Sequence, residues 1–287
     1  MKIQHLFSGA GLLALACAAA YLAGPAGRTA SAQAPARGTT TRPTTPTPRL
    51  ADGKPDLNGT WDHDGGISFL RPQKLANGSV CIFGCPPPGG GPRGGGPPEL
   101  PPGDFPKYKP QFTAKIKDLS DRQVQTDTML QCHAPGVPRI GPPAKIVQTA
   151  REVLFLYDDV NGSFFRIIPT DGRPHRQGLS PSYLGDAIGR WEGETLVVET
   201  TNFNEETWLT DNGAFHTKDL RVVERLRRIG STIEYQATAH DPAVLAEPWA
   251  MKPVAMKLTT RELEESARCE DRDLEHIVDG SHHDNAR

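Results

Sequence analysis

Alternating apolar and polar positions dominate the chain between residues 145 and 258. The apolar positions there are mostly β-branched or aromatic, and turn residues bound each run, which is the pattern of half-buried strands. The predicted strands cover residues 145–148, 152–157, 163–168, 194–200, 220–228, 231–239 and 254–258. No long helical pattern separates them. The sequence therefore predicts a mainly β fold, an antiparallel meander that forms a lipocalin-like barrel or a sandwich.

Two dipeptides predict hairpin turns within this meander. Asn161-Gly162 lies between two predicted strands, and Glu192-Gly193 precedes another. Asn-Gly is a strong short-range hairpin signal, because both residues tolerate positive φ. Residues 145–258 should therefore fold as one continuous antiparallel sheet.

A helix is predicted over residues 110–130, where Phe112, Ile116 and Leu119 recur at helical spacing. Such a helix could close one end of a barrel. A second short helix beginning at a Ser120 cap is predicted in the same stretch.

The first 32 residues have the pattern of a secretory signal peptide. Lys2 gives a positive start, residues 12–23 form an apolar core, and Ala30-Ser31-Ala32 is a small-residue cleavage site. We expect cleavage after Ala32 and a periplasmic or secreted mature chain. A membrane anchor is the alternative, although the apolar run is shorter than the roughly 20 residues that span a bilayer. A lipoprotein attached through Cys17 is a second alternative.

Two low-complexity segments interrupt the rest of the chain. Residues 33–50 are rich in Thr and Pro and have no large apolar side chain before Leu50, so they predict a disordered linker. Residues 86–104 are rich in Pro and Gly and predict a flexible solvent loop. Residues 51–287 are then a single β domain that contains this loop.

Composition excludes some partners. The 287 residues carry a formal net charge of −2, and 37% of them are hydrophobic, which suits one buried core. A charge near zero provides no basic surface, so no nucleic-acid partner is predicted. The sequence has no second long apolar run, so no transmembrane span is predicted in the mature chain. The oligomeric state stays open.

The cysteines fit an oxidising compartment. Signal-peptide cleavage leaves Cys81, Cys85, Cys132 and Cys269, an even number with three possible pairings. We favour Cys132–Cys269 with Cys81–Cys85, a choice in which the long bridge ties the end of the predicted helix to the C-terminal tail. A Cys-His metal site is the alternative, although Cys81 and Cys85 lack the companion pair of a zinc motif.

The strand registers predict a charge inside the barrel. Alternation along residues 220–226 places Glu224 on an otherwise apolar face, and Arg166 shares a face with Phe164 and Ile168. A buried carboxylate is costly unless it is paired, so an interior Arg166–Glu224 ion pair would satisfy both groups. The alternative is a bulged register that turns the charges towards water.

Polar residues gather in three predicted loops, 171–175, 185–191 and 212–216. If the loops meet, they form a pocket in which His175, His216 and Asp186 are the candidate acid–base groups. The candidate ligand-binding residues of the chain are Asp171, Arg173, Arg190, Trp191, Arg166 and Glu224. Alternatively, each histidine hydrogen-bonds its own loop, because no His-Glu-x-x-His spacing is present. No cofactor is predicted, and a metal held by histidines stays open.

Motifs spread over residues 52–249 carry a resemblance. They include Pro55 to Trp61, Arg166 to His175, Gly185 to Phe203, and Val223-Glu224-Arg225. Together they resemble a large family of secreted bacterial proteins for which no activity is established. The resemblance implies a periplasmic location and carries over no catalytic residue. Many relatives have His where this chain has Arg221, which argues against a mechanism that needs a histidine there.

Three classes of function fit these patterns. The first is a periplasmic barrel that binds a small apolar or aromatic molecule, supported by the meander and by Gly59-Thr60-Trp61 near its start. The alternative is a periplasmic hydrolase or lyase that uses His/Asp acid–base chemistry on such a molecule, although no nucleophile elbow is present. The third is a protein-interaction module whose Pro/Gly loop meets a partner.

Overall fold

The computed structural model describes residues 46–63, 73–74, 80–81, 105–159, 161–265 and 269. The strands are β1 (Gly59–His63), β2 (Gln73–Lys74), β3 (Val80–Cys81), β4 (Lys145–Gln148), β5 (Glu152–Asp159), β6 (Gly162–Pro169), β7 (Asp186–Glu192), β8 (Thr195–Thr201), β9 (Arg221–Ile229), β10 (Thr232–His240), β11 (Trp249–Ala250) and β12 (Val254–Thr259). The α-helices are α1 (Thr113–Asp121) and α2 (Gln123–Thr126), and 3-10 helices cover Pro110–Phe112 and Thr128–Gln131. None of these helices is long and apolar enough to cross a membrane.

The main sheet forms a nearly closed antiparallel barrel. Nine strands follow one another in the order β6-β5-β4-β1-β12-β10-β9-β8-β7, and β11 pairs with β10. Strands β2 and β3 form a separate two-stranded sheet. The core lies inside the barrel, where alternate residues such as Phe155, Leu226 and Tyr235 are buried. The prediction of a mainly β, lipocalin-like barrel is confirmed.

One strand from outside the predicted meander completes this barrel. Thr60 in β1 pairs with Thr259 of β12 on one side and with Lys145 of β4 on the other. The expectation that residues 145–258 form one continuous meander is therefore wrong. They form two, β4 to β6 and β7 to β12, and β1 joins them. Burial of Trp61 in the core favours this position for β1.

Both predicted hairpins are present, with shifts of one residue in their turns. Asp159 pairs with Gly162, so Asn161 lies in the turn and Gly162 already belongs to β6. The Asn161 amide donates to the backbone carbonyls of Met129 and His133, at 2.7 and 2.8 Å, and so fixes the neighbouring segment. In the second hairpin, Gly193 occupies the turn with φ +58°, a conformation that favours glycine.

The barrel closes without backbone pairing at one place, the seam between β6 and β7. Each of the eight neighbouring pairs from β6 to β7 is antiparallel, so these two edge strands run in the same direction. No backbone ladder joins them in the described part of the chain. Side chains make the contact instead: a Cβ atom on Gly189 would lie 3.0 Å from methyl groups of Ile168 and Thr170. The absence of a side chain at Gly189 therefore lets β6 and β7 approach.

Trp61 and Arg228 pack together near the turn between β9 and β10. The guanidinium carbon of Arg228 lies 5.1 Å from the centre of the Trp61 ring, a cation–π contact. Arg228 also donates to the carbonyls of Asp56 and Gly230. The indole nitrogen of Trp61 donates to Leu57 O at 3.1 Å. These contacts tie the segment before β1 to the β9–β10 hairpin.

The predicted helical region is divided into short helices. Thr113–Asp121 is α-helical, and Arg122 separates it from α2. Ser120 lies inside α1, so its predicted role as the cap of a second helix is wrong. The loop over residues 212–216 packs on α1, where Lys115 Nζ lies 3.8 Å from the centre of the Phe215 ring. Phe215 also meets Phe112 of the preceding 3-10 helix edge to face, with centroids 5.7 Å apart.

The end of the predicted linker lies against the barrel. Arg49 Nη2 is 2.8 Å from Glu194 Oε2, and Thr47 Oγ1 accepts a hydrogen bond from the Gly230 amide at 3.2 Å. Residues 46–50 of the predicted 33–50 linker therefore make polar contacts with the barrel, although they bury no large apolar side chain before Leu50. The disorder of the linker stays a prediction.

The Cys132–Cys269 disulfide is confirmed, with Cα atoms 5.3 Å apart and a sequence separation of 137. The predicted Cys81–Cys85 bridge cannot be placed in the same way, because Cys85 lies outside the described residues. The predicted signal peptide at 1–32, the linker up to residue 45 and the Pro/Gly loop at 86–104 also lie outside them.

Candidate functional site

A cleft of about 680 Å³ lies along the seam between β6 and β7. Its walls come from both edge strands, from the connection between them and from the segment that carries Cys132. It is lined by Cys132, His133, Ala134, Glu152, Phe164, Phe165, Arg166, Ile167, Pro169, Arg173, Pro174, Arg176, Ser182, Tyr183, Leu184, Gly185, Asp186, Ala187 and Ile188. The lining combines apolar and polar side chains in similar proportion, and the volume lies in the range of small-molecule sites.

Arg166 belongs to both the cleft and the barrel interior. Its Nη2 lies 2.7 Å from Glu224 Oε2, and the two side chains are 3% and 0% exposed. Nη1 donates to Tyr157 Oη and to Glu224 Oε1, both at 3.0 Å, and Nη2 donates to Thr200 Oγ1 at 2.6 Å. The predicted interior ion pair is therefore present. The alternation that placed both charges on inward faces is correct.

Tyr235 completes this network, since its hydroxyl donates to Glu224 Oε1 at 3.1 Å. Burial and the nearby Glu224 carboxylate raise the pKa of Tyr235 well above its ordinary value, so the phenol stays neutral. Burial alone would lower the pKa of Arg166, but Glu224 and Tyr157 raise it overall. The guanidinium therefore stays charged inside the barrel.

One hydrogen-bond donor of this network is unsatisfied. Arg166 Nε is buried and has no hydrogen-bond partner among the described residues. An unmade hydrogen bond at a buried donor costs on the order of 1–3 kcal/mol. The burial of this nitrogen means that the accessible guanidinium groups of the cleft belong to Arg173 and Arg176, whose side chains are 49% and 66% exposed.

Two further arginines come from the connection between β6 and β7. Arg173 donates to both oxygens of Asp171, at 2.9 and 2.6 Å, and these contacts hold the pKa of Asp171 well below its ordinary value. Arg176 Nε donates to Asp186 Oδ1 at 2.7 Å. Burial raises the pKa of Asp186, but hydrogen bonds from Arg176 and His175 lower it by more, so the net direction is downward.

His175 lies between two carboxylates. Its Nδ1 is 3.0 Å from Asp186 Oδ2, and its Nε2 is 3.5 Å from Glu199 Oε1. An Asp–His pair with this geometry can orient a general base. Nε2, however, is buried and makes no hydrogen bond to any described residue. Arg221 holds Glu199 at 3.0 Å, so the side chains of Asp186, His175, Glu199 and Arg221 follow one another in a row.

His216, the other predicted proton carrier, lies away from this cluster. Its Nε2 is 2.8 Å from Thr207 Oγ1, and its Nδ1 is 3.0 Å from the Thr217 carbonyl. Burial lowers the pKa of His216, which favours the neutral ring. It is not one of the residues that line the cleft. The contacts of His216 thus fit the alternative in which a histidine hydrogen-bonds its own surroundings.

The predicted loops are only partly brought together. Residues 171–175 and 185–191 meet through His175 and Asp186, whereas residues 212–216 pack on α1. Arg190 pairs with Glu192 at 2.8 Å on an exposed surface, and Trp191 packs partly buried against the core. Neither Arg190 nor Trp191 lines the cleft.

The sequence analysis missed the aromatic pair of the cleft. The rings of His133 and Tyr183 stack with centroids 5.2 Å apart and planes 13° from parallel. Tyr183 Oη also donates to Glu206 Oε2 at 2.9 Å. The sequence signal is weak: Tyr183 is a lone aromatic residue in a stretch of Ser and Pro. Arg176 could have been included, because it directly follows His175.

Among the described residues, no group of three or more His, Cys, Asp or Glu side chains is placed to hold a metal ion. Comparisons of the chain with protein families, curated proteins and solved structures found no match. The functional argument therefore rests on the geometry of the cleft.

Proposed function

We propose that this protein binds a small molecule with an apolar or aromatic body in the cleft along the β6–β7 seam. The observation that carries the proposal is a cleft of about 680 Å³ in which apolar side chains stand beside two exposed arginines, Arg173 and Arg176. Apolar side chains such as Phe164 and Ile188 supply contact area, and the polar groups fix orientation.

Binding accounts for the cleft better than catalysis does. An acid–base mechanism needs a proton carrier within hydrogen-bond reach of its substrate. His175 is oriented by Asp186, but its second nitrogen is buried next to Glu199. His216 is hydrogen-bonded through both nitrogens.

We place this activity in the periplasm or outside the cell. The Cys132–Cys269 disulfide supports an oxidising compartment. The signal-peptide pattern over residues 1–32 supports export. N-terminal sequencing of the exported protein should begin at Gln33, and an exported protein that retains Met1 would contradict cleavage.

Fluorescence titration with N-phenyl-1-naphthylamine, a neutral aromatic probe, tests the binding function. The exported wild-type protein should give a saturable increase at one site. Ser182→Trp adds an indole at an exposed position that lines the cleft, and it should weaken binding at least about tenfold. Ser231→Trp is the matched control, since Ser231 is exposed in the β9–β10 turn outside the cleft.

The outcomes separate clearly. Binding that Ser182→Trp weakens and Ser231→Trp preserves, with both variants as stable as wild type, supports the cleft as the site. No saturable signal with the wild type, or equal binding by Ser182→Trp, contradicts the proposal.

A further inference from the structure

The polar groups of the cleft offer more hydrogen-bond donors than acceptors. Its three arginines are Arg166, Arg173 and Arg176, and each guanidinium has five N–H donors. Arg173 uses Nε and Nη2 to bind Asp171, and Arg176 uses Nε to bind Asp186. Arg166 uses both terminal nitrogens on interior partners and its Nε is buried, so the spare donors that a ligand can reach belong to Arg173 and Arg176.

The acceptors of the cleft are largely occupied. Asp186 accepts from the Arg176 side chain at 2.7 Å and from its backbone amide at 3.1 Å, and its Oδ2 is 3.0 Å from His175 Nδ1. Glu152, the other lining carboxylate, acts electrostatically on Arg173. A cationic ligand would therefore have to compete with Arg176 and His175 for Asp186, and it would meet the positive charge of Arg173 beside Glu152. An anionic ligand instead finds spare guanidinium donors.

The rest of the cleft suits a flat apolar body. Phe164 and Leu184 contribute partly buried apolar surface, and Phe165 is 62% exposed. The stacked rings of His133 and Tyr183 add an aromatic wall. Aromatic rings pack favourably against such faces in offset or edge-on arrangements.

We infer that the ligand class is an aromatic carboxylate, whose acid group binds the cleft arginines and whose ring packs on the aromatic wall. This inference rests on the proposed function and names the chemistry of its ligand. A carboxylate matches the planar fork of a guanidinium and forms charge-assisted hydrogen bonds with it. A neutral amide of the same shape supplies only one acceptor oxygen and no charge.

Isothermal titration calorimetry on the full exported protein with three ligands of one shape tests the inference. The ligands are 2-naphthoate, 2-naphthamide and 2-naphthylmethylammonium. The carboxylate should bind at least about tenfold more tightly than the amide, and the ammonium should bind more weakly than both.

Variants identify the residues responsible. Arg166→Gln would strand Glu224 and can fail to fold, so the informative variants are the exposed Arg173→Gln and Arg176→Gln. Each should weaken naphthoate binding at least about threefold and leave naphthamide binding unchanged. Arg225→Gln is the matched control, because Arg225 is similarly exposed and paired with Glu192 but lies outside the cleft.

The results distinguish this inference from the proposed function. Equal affinities for naphthoate and naphthamide, or a preference for the ammonium, overturn the carboxylate assignment. The proposed small-molecule site in the cleft still stands in that case if Ser182→Trp abolishes binding. The carboxylate assignment also fails if Arg173→Gln and Arg176→Gln both behave like Arg225→Gln. If none of the three naphthalenes and no N-phenyl-1-naphthylamine binds, the proposed function itself fails.

Discussion

Removal of the buried negative charge by Glu224→Gln tests the energetics of the barrel interior. Glu224 is fully buried and pairs with Arg166 through contacts of 2.7 and 3.0 Å. The substitution preserves size and hydrogen-bonding capacity but leaves the Arg166 charge without a counter-charge. Breaking one partner of a buried ion pair typically costs about 3–5 kcal/mol. We expect Glu224→Gln to lower the free energy of unfolding by at least about 3 kcal/mol.

An exposed ion pair on the same barrel provides the comparison. Glu192 is 40% exposed and pairs with Arg225 at 2.9 Å. Exposed pairs contribute about 0–1 kcal/mol, because water screens the charges and competes for the hydrogen bonds. Glu192→Gln should therefore change stability by less than about 1 kcal/mol. The difference between the two changes in unfolding free energy measures the effect of burial on an ion pair.

Urea unfolding followed by tryptophan fluorescence gives both values, and thermal unfolding checks them. In a domain of this size, about 3 kcal/mol corresponds to a midpoint decrease of roughly 6–12 °C. The double variant Arg166→Met with Glu224→Met removes both charges and should be at least about 1 kcal/mol more stable than Glu224→Gln. If Glu224→Gln is no more destabilising than Glu192→Gln, the reasoning is wrong. A double variant less stable than Glu224→Gln would also refute it.

Three further predictions concern the cleft and the adjoining β6–β7 seam. The pKa of Asp186 is lower in the folded than in the unfolded state, so the stability that its carboxylate contributes should be complete above about pH 5 and be lost as pH falls through the folded pKa. Unfolding free energies of wild type and Asp186→Asn, measured in urea from pH 2 to 7, should therefore converge at the acid end. A difference that stays constant with pH would contradict this. Reduction of the Cys132–Cys269 disulfide should lower the unfolding free energy by about 2–4 kcal/mol. The Cys132→Ser/Cys269→Ser variant lacks this bond, so dithiothreitol should not lower its unfolding free energy by that amount. An equal decrease in the variant would assign the effect to other cysteines. Gly189→Ala should destabilise by about 1–3 kcal/mol in urea unfolding, because its Cβ would lie 3.0 Å from Ile168 Cγ2, and a neutral result would mean that the seam can widen.

Strand faces and one disulfide could be predicted because both depend on local or countable features. The side chains of a strand alternate between its two faces, so the predicted strands are enough to place Glu224 and Arg166 on inward faces. The predicted signal-peptide cleavage leaves an even number of cysteines, which predicts disulfide bridges, and Cys132–Cys269 belongs to the favoured one of three possible pairings.

Long-range placement could not be predicted in this way. Strand β1 is only five residues long, and its position between β4 and β12 depends on partners about 85 and 200 residues away along the chain. His175 and His216 both lie in predicted loops, yet one pairs with Asp186 and the other is buried against Thr207. Their separation depends on which loop packs on α1, and no spacing in the sequence encodes that contact.

The number of strands explains why the candidate site lies where it does. Nine strands that are all antiparallel to their neighbours cannot close into a ring without one junction of two strands that run the same way. That junction is β6–β7, and strands with the same direction that follow each other in sequence require a crossover along the full length of the barrel. Residues 170–185 form this crossover and carry Arg173, Arg176 and Tyr183 to the cleft. The crossover that follows from this strand geometry therefore supplies the arginines and the aromatic ring that we propose contact the ligand.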